Sequence, residues 1–142
     1  MGSRGFTLIE LITVLTLVGA VAAIAAPRFA DPSPFQVRGF CDEAMAAARY
    51  AQKTAIASGC NLRIQFDTGY SVFIACNGGA EVPLNRPGSN TPLSAVAPNG
   101  VSTSTASFTF DRVGRPIVIT AGNKVNVGTL SFTIETETGL VQ

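Results

Sequence analysis

Residues 6–26 read FTLIELITVLTLVGAVAAIAA. From Leu11 to Ala26 the run carries no charge, and Thr13 and Thr16 are its only polar side chains. Wound as an α-helix, Phe6–Ala26 would be ~31 Å long at about 1.5 Å per residue, close to the thickness of a bilayer's hydrocarbon core. The segment is therefore predicted to span a membrane. Arg4 precedes it, so the excess of positive charge on the cytoplasmic side puts the N-terminus inside and the residues beyond Arg28 outside; Arg28 itself reduces the asymmetry.

A cleaved secretory signal is the alternative, with Arg4 as its basic region and Ala23 and Ala25 as small residues before a cut. Two residues oppose it. Glu10 sits in the apolar run, where an ionised carboxylate costs roughly 2.5–3.5 kcal/mol at mid-helix and less near the interface. Pro27 stands just after the small residues and would hinder cleavage there.

Around this segment the composition is that of a packing protein. The chain has 142 residues, enough for one main domain. Its net charge is +1, and charged residues are 13% of the total, about half the usual share. That excludes a basic nucleic-acid binder and an acidic disordered tail. There is no His, which removes the commonest general acid/base and the commonest metal ligand, and the mean hydropathy is +0.33. No catalytic residue, cofactor or metal site is expected. Asp111 stands alone, and Glu135 and Glu137 alternate on a terminal strand as solvated charges.

Beyond the apolar run, Pro27 is expected to kink or loosen the helix, and Asp31-Pro32-Ser33-Pro34 to break it. A second, amphipathic helix is predicted over about 35–58. Phe40, Ala44, Ala47, Ala48, Ala51, Ala55 and Ile56 lie on one side, Arg38, Asp42, Arg49, Gln52 and Lys53 mostly on the other, and Gly59 is the stop. So many inward alanines imply close approach to a sheet.

Asn61–Phe66 and Tyr70–Cys76 flank Asp67-Thr68-Gly69, which reads as a hairpin with a three-residue loop and Gly69 in a left-handed conformation. Folding about Thr68 sets Phe66 against Tyr70, Ile64 against Val72, Leu62 against Ile74 and Cys60 against Cys76. One face is then wholly apolar and packs on the helix, while Asn61, Arg63, Gln65 and Ser71 face away. Residues 77–107 read as a long loop with short strands, in which Val82, Leu84, Leu93, Val96 and Val101 are candidate anchors. Short strands follow at Ser107–Phe110, Pro116–Thr120, Val125–Ile134 with an interruption near Gly128, and Gly139–Val141. The fold class is α+β: an N-terminal helix, membrane-spanning in its first half and amphipathic in its second, packed on an antiparallel sheet.

Three cysteines outside a membrane allow one disulfide and leave one thiol. The register selects Cys60–Cys76, and Cys41 with either partner is the alternative. Without His as a base, a cysteine nucleophile is not supported.

Gly5-Phe6-Thr7-Leu8-Ile9-Glu10, followed by the apolar run and Pro27, resembles the prepilin signature of type IV pilins and type II secretion pseudopilins. Ala46-Ala47-Ala48-Arg49-Tyr50-Ala51-Gln52-Lys53 and Phe108-Thr109-Phe110-Asp111-Arg112-Val113-Gly114-Arg115-Pro116 are similar to the GspH/FimT-type minor subunits of these filaments. The resemblance implies a leader, residues 1–5, removed after Gly5 by prepilin peptidase, with N-methylation of Phe6. A membrane and assembly helix would occupy 6–29 and a pilin-like periplasmic domain 30–142. Implied partners are the inner membrane, its assembly platform and other pilins, in a pilus or pseudopilus.

Glu10 lies one helical turn beyond Phe6. Pairing its carboxylate with the Phe6 amine of a neighbour would satisfy both groups and set the stagger of a helix bundle, so Glu10 is the expected assembly residue. A major pilin and a DNA-capturing minor pilin are the alternatives. For the second, Arg112 and Arg115 could touch phosphates, but the C-terminal residues are acidic and no dense basic patch is visible.

Overall fold

In a computed structural model, residues 7–25 and 33–142 are described. They fall into two units that part at Pro32/Ser33. The first holds one helix, α1 (Leu8–Ala25). Thr7 caps it, its hydroxyl accepting from the Glu10 N–H at 3.3 Å. The Thr13 and Thr16 hydroxyls donate to the carbonyls of Glu10 and Thr13, both at 2.9 Å, so the polar atoms within the apolar run are satisfied by its own backbone. The predicted kink at Pro27, the break at Asp31-Pro32 and any join between α1 and the next helix lie outside the described residues.

The second unit begins with α2 (Pro34–Ser58). Ser33 and Gln36 form a reciprocal capping box, with Pro34 at the first helical position where a missing N–H costs nothing. Gly59 ends the helix in the left-handed conformation at φ 64°, its N–H donating to Ala55 O at 3.0 Å. The buried face is Val37, Phe40, Cys41, Ala44, Ala47, Ala48, Ala51 and Ala55. Ile56, expected on that face, is 54% exposed. It is one residue past Ala55, which at about 100° per residue turns it off the stripe.

α2 packs on a six-stranded sheet whose pairings are all antiparallel. Its strands are β1 (Asn61–Phe66), β2 (Gly69–Ala75), β3 (Val82–Pro83), β4 (Ser94–Val96), β5 (Ala106–Phe110) and β6 (Pro116–Thr120). The order is β3-β2-β1-β5-β6, with β4 also paired to β2. The hairpin register is the expected one: Leu62 faces Ile74, Ile64 faces Val72 and Phe66 faces Tyr70. Leu62, Ile64, Phe66, Tyr70 and Val72 are all buried, Ile74 partly so. On the opposite face Arg63 grips Glu81 through Nε and Nη2 at 2.6–3.0 Å and lies 4.6 Å above the Phe73 ring.

Gly69 departs from expectation: it is not in the left-handed region. A Cβ there would collide with the Ala95 carbonyl oxygen and come within 2.8 Å of Val96 Cα, so glycine is required by the backbone of β4 crossing against it.

The 77–105 stretch returns twice to the free edge of β2. Leu84 N–H donates to Val72 O at 2.9 Å, and Val72 N–H donates to Leu93 O at 3.1 Å. Of its expected anchors, Leu93 and Val101 are buried and Leu84 is partly buried, but Val82 and Val96 are exposed because two- and three-residue edge strands leave alternate side chains to solvent.

A two-stranded sheet, β7 (Lys124–Val127) and β8 (Leu130–Thr133), follows. It splits the predicted Val125–Ile134 run at Gly128, whose φ is 56°. Gly139–Val141 forms no strand, only a bridge from Val141 to Ile134. Phe66 joins the two sheets, meeting Phe108 edge-on at 6.3 Å and Phe132 at 5.7 Å between ring centroids. Helix and both sheets thus share one core.

Candidate processing and assembly site

Gly5 and Phe6 lie outside the described residues. Glu10 occupies the first turn of α1, where its charge is favourable to the helix dipole, and it is exposed. Around and beyond it the large side chains of α1 are open on every side, from 47% at Val14 to 76% at Leu8. A helix apolar all round is built to be covered. At 18 residues it is about 27 Å long, short of the ~20 residues a bilayer asks. Among the described residues no helix is long and apolar enough to cross a membrane.

Cys60 and Cys76 are bonded, with Cα atoms 4.6 Å apart at the base of the β1–β2 hairpin. Cys41 is free and buried on α2, and burial, then the neighbouring Asp42, pushes its thiol pKa up. Among the described residues, no three His, Cys, Asp or Glu side chains gather as a metal site.

Two later stretches, far apart in sequence, meet at the end of α2. Arg49 and Gln52, expected on the solvent side, both reach back across the fold. Arg49 donates from Nη2 and Nε to Val141 O at 2.9 and 3.3 Å. Gln52 Nε2 donates to Gly114 O at 3.0 Å and Thr138 O at 2.9 Å. Gly139, at φ 73°, presses close enough that a Cβ would lie 2.5 Å from Gln52 Nε2. Arg49 is exposed as expected and Gln52 is half-buried, and their long stems let the polar tips reach backbone carbonyls of the Asp111–Arg115 turn and the C-terminal segment.

The turn after β5 is equally fixed. Asp111 Oδ1 accepts from Val113 N–H at 3.0 Å and Arg115 N–H at 2.8 Å, and Gly114 takes φ 81°. Slight desolvation pushes the Asp111 carboxyl up, but those two donors and the Arg115 charge together hold it below the usual carboxylate range. Arg115 Nε lies 3.5 Å from Asp111 Oδ2, so one of the two arginines that could touch phosphates already has a partner.

The family model of the prokaryotic N-terminal methylation motif matches residues 1–26, and that of the type II transport protein GspH matches residues 41–141. The chain belongs to the GspH family. The match to this GspH-family chain runs from Cys41 in α2 to Val141 under Arg49, taking in the α2 end and the Asp111 turn that it joins. The chain is also 43% identical over 61 residues to the type IV narrow pilus major component PilA5 of Thermus thermophilus. That alignment covers 42% of this chain and 53% of the relative, so the chain spans about half of that protein's length. No solved structure matches it significantly. The matched families are structural pilin proteins, and their N-terminal motif is that of membrane-anchored pilins.

Proposed function

We propose that the chain is a structural subunit of a type IV pilus or type II secretion pseudopilus. Prepilin peptidase cuts after Gly5, and Phe6 becomes the N-methylated terminus. Residues 6–29 then hold the subunit in the inner membrane, single-pass with the N-terminus cytoplasmic, until an assembly platform moves it into a filament. Residues 30–142 form the periplasmic domain. The observation that carries this reading is a methylation motif over residues 1–26 whose helix exposes apolar side chains on every side.

In the filament, α1 exchanges lipid for neighbouring helices, and close packing rather than hydrophobicity sets its register. Glu10 is the charge that such a bundle must satisfy, and the Phe6 amine of an adjacent subunit supplies the partner. Replacing Glu10 with Ala tests the role. Membrane insertion is expected to persist while incorporation into filaments is lost, and normal incorporation would refute it.

A further inference from the structure

Two exposed features of the Ser33–Gln142 unit are complementary. The first is a cleft of about 230 Å3 between α2 and the segment carrying Arg86 and Leu93. Ala47 and Leu93 supply buried apolar surface in it, and Glu43 and Arg86 stand exposed. Tyr70, only 3% exposed, donates its hydroxyl to Glu43 Oε1 at 2.8 Å and so fixes the carboxylate in place. Arg86 is fixed too, donating to Ser94 O at 2.7 Å. Among the described residues the two charges form no ion pair with each other.

The second feature is the Asp111–Arg115 turn. Val113 is 63% exposed near its tip, with Arg112 beside it and Asp111 at its base. Gln52 holds the turn from behind through Gly114 O, and Ile56 packs under Gly114. Glu43, Ala47 and Tyr50 leave one flank of α2, while Gln52 and Ile56 leave the flank about 160° round, at about 100° per residue. Cleft and knob therefore lie on opposite sides of α2.

We propose that the Val113 turn of one subunit seats in the Glu43–Arg86 cleft of a second copy of this chain. Val113 covers Ala47 and Leu93, Arg112 faces Glu43, and Asp111 faces Arg86. Arg112 and Glu43 are opposite in charge, as are Asp111 and Arg86, with Asp111 also holding Arg115 of its own turn. The occupant is a second copy because the complement is carried by this same chain, and two different patches on opposite flanks make a heterologous contact. Such a contact repeats head to tail and generates an open helical array when it does not close. This inference rests on the filament reading above and supplies its contact between folded domains.

The test uses two full-length versions of the chain expressed together with the assembly machinery, one carrying Val113→Cys and the other Ala46→Cys, both at exposed positions. A short bismaleimide is then added. Cys41 is buried and Cys60 and Cys76 are bonded, so the introduced thiols are the ones that react. A covalent dimer of this chain is expected only in the mixture. It should fall several-fold when the Ala46→Cys copy also carries Glu43→Arg, and return when the partner copy carries Arg112→Glu. Leu17→Cys on α1 of both copies reports the helix bundle separately. Dimers through Leu17 without the 113–46 dimer would overturn this contact and leave the filament reading standing. Loss of both would overturn the filament reading as well. Cross-linking of Val113→Cys to itself, or to a different protein, would also overturn the proposal.

Discussion

Gln52→Ala tests whether the junction at the end of α2 has energetic content. The side chain donates twice, to Gly114 O at 3.0 Å and Thr138 O at 2.9 Å. A hydrogen bond of this kind is worth about 1 kcal/mol net, and a half-buried carbonyl left without its donor adds to the loss, so the pair should cost about 2–3 kcal/mol. The unit Ser33–Gln142 has 110 residues, counted from 33 to 142. At ~2.1 cal/mol/K of unfolding entropy per residue, that loss lowers the melting temperature by about 9–13 °C. Both tyrosines, Tyr50 and Tyr70, lie in this unit and the chain has no Trp, so a near-ultraviolet tyrosine signal follows its melting in detergent without interference from α1. Lys53→Ala, one residue along and exposed, is the control and should stay within about 0.5 kcal/mol. A Gln52→Ala shift no larger than the control's would show that the junction contributes nothing to stability.

Replacing Cys60 and Cys76 together with Ser opens a loop of sequence separation 16, which should cost about 3 kcal/mol; reduction that leaves the melting temperature unchanged would contradict the bond's role. Gly69→Ala should detach β4, because the new methyl meets the backbone of Ala95 and Val96. Hydrogen exchange at 94–96 would then accelerate while β1–β5 stays protected. Burial, and next the Glu43 carboxylate, push the Tyr70 phenol up to about 12 from 10. Its proton is held in the folded state after the unfolded state has lost it, so stability should fall as pH rises from 10 toward 12. Ultraviolet titration should resolve a tyrosine near that value, moving down in Glu43→Gln; no shift in that variant would count against the contact.

What could be read from residues alone follows where each element's cause lies. The hairpin is written locally, in alternation on both sides of a short loop, and its register carried the Cys60–Cys76 pairing with it. The stop of α2 is written in Gly59, and its start rests on the Ser33–Gln36 capping box, a reciprocal pair that reads in the sequence only as part of the Asp31–Pro34 break. Short strands are expected within 77–107, but not where they begin and end, because a single β-branched residue in Val82-Pro83 and in Ser94–Val96 sets no alternation; their positions come from the unpaired edge that β2 offers. Gly69 reads in the sequence as a turn glycine, whereas its constraint comes from a chain segment some 26 residues later. Arg49 is exposed, as its place on a wheel implies, and Gln52 is half-buried, but a wheel follows Cα directions and so does not show that both tips reach backbone carbonyls distant in sequence. Gly139–Val141 turns back on the end of β8, where Leu140 O accepts from Glu135 N–H and Gln142 pairs with Thr133, but it makes a single bridge, from Val141 to Ile134, and is too short to count as a strand. Glu10, the proposed assembly residue, is marked by its cost in an apolar run, which is a property of the sequence and needs no tertiary contact to be seen.

The most direct measurement is the mass of the N-terminal peptide of this chain recovered from sheared filaments of cells carrying the assembly machinery. The expected peptide begins at Phe6 and bears one added methyl group. A chain still beginning at Met1, or one found in the membrane and never in the filaments, would contradict the filament reading.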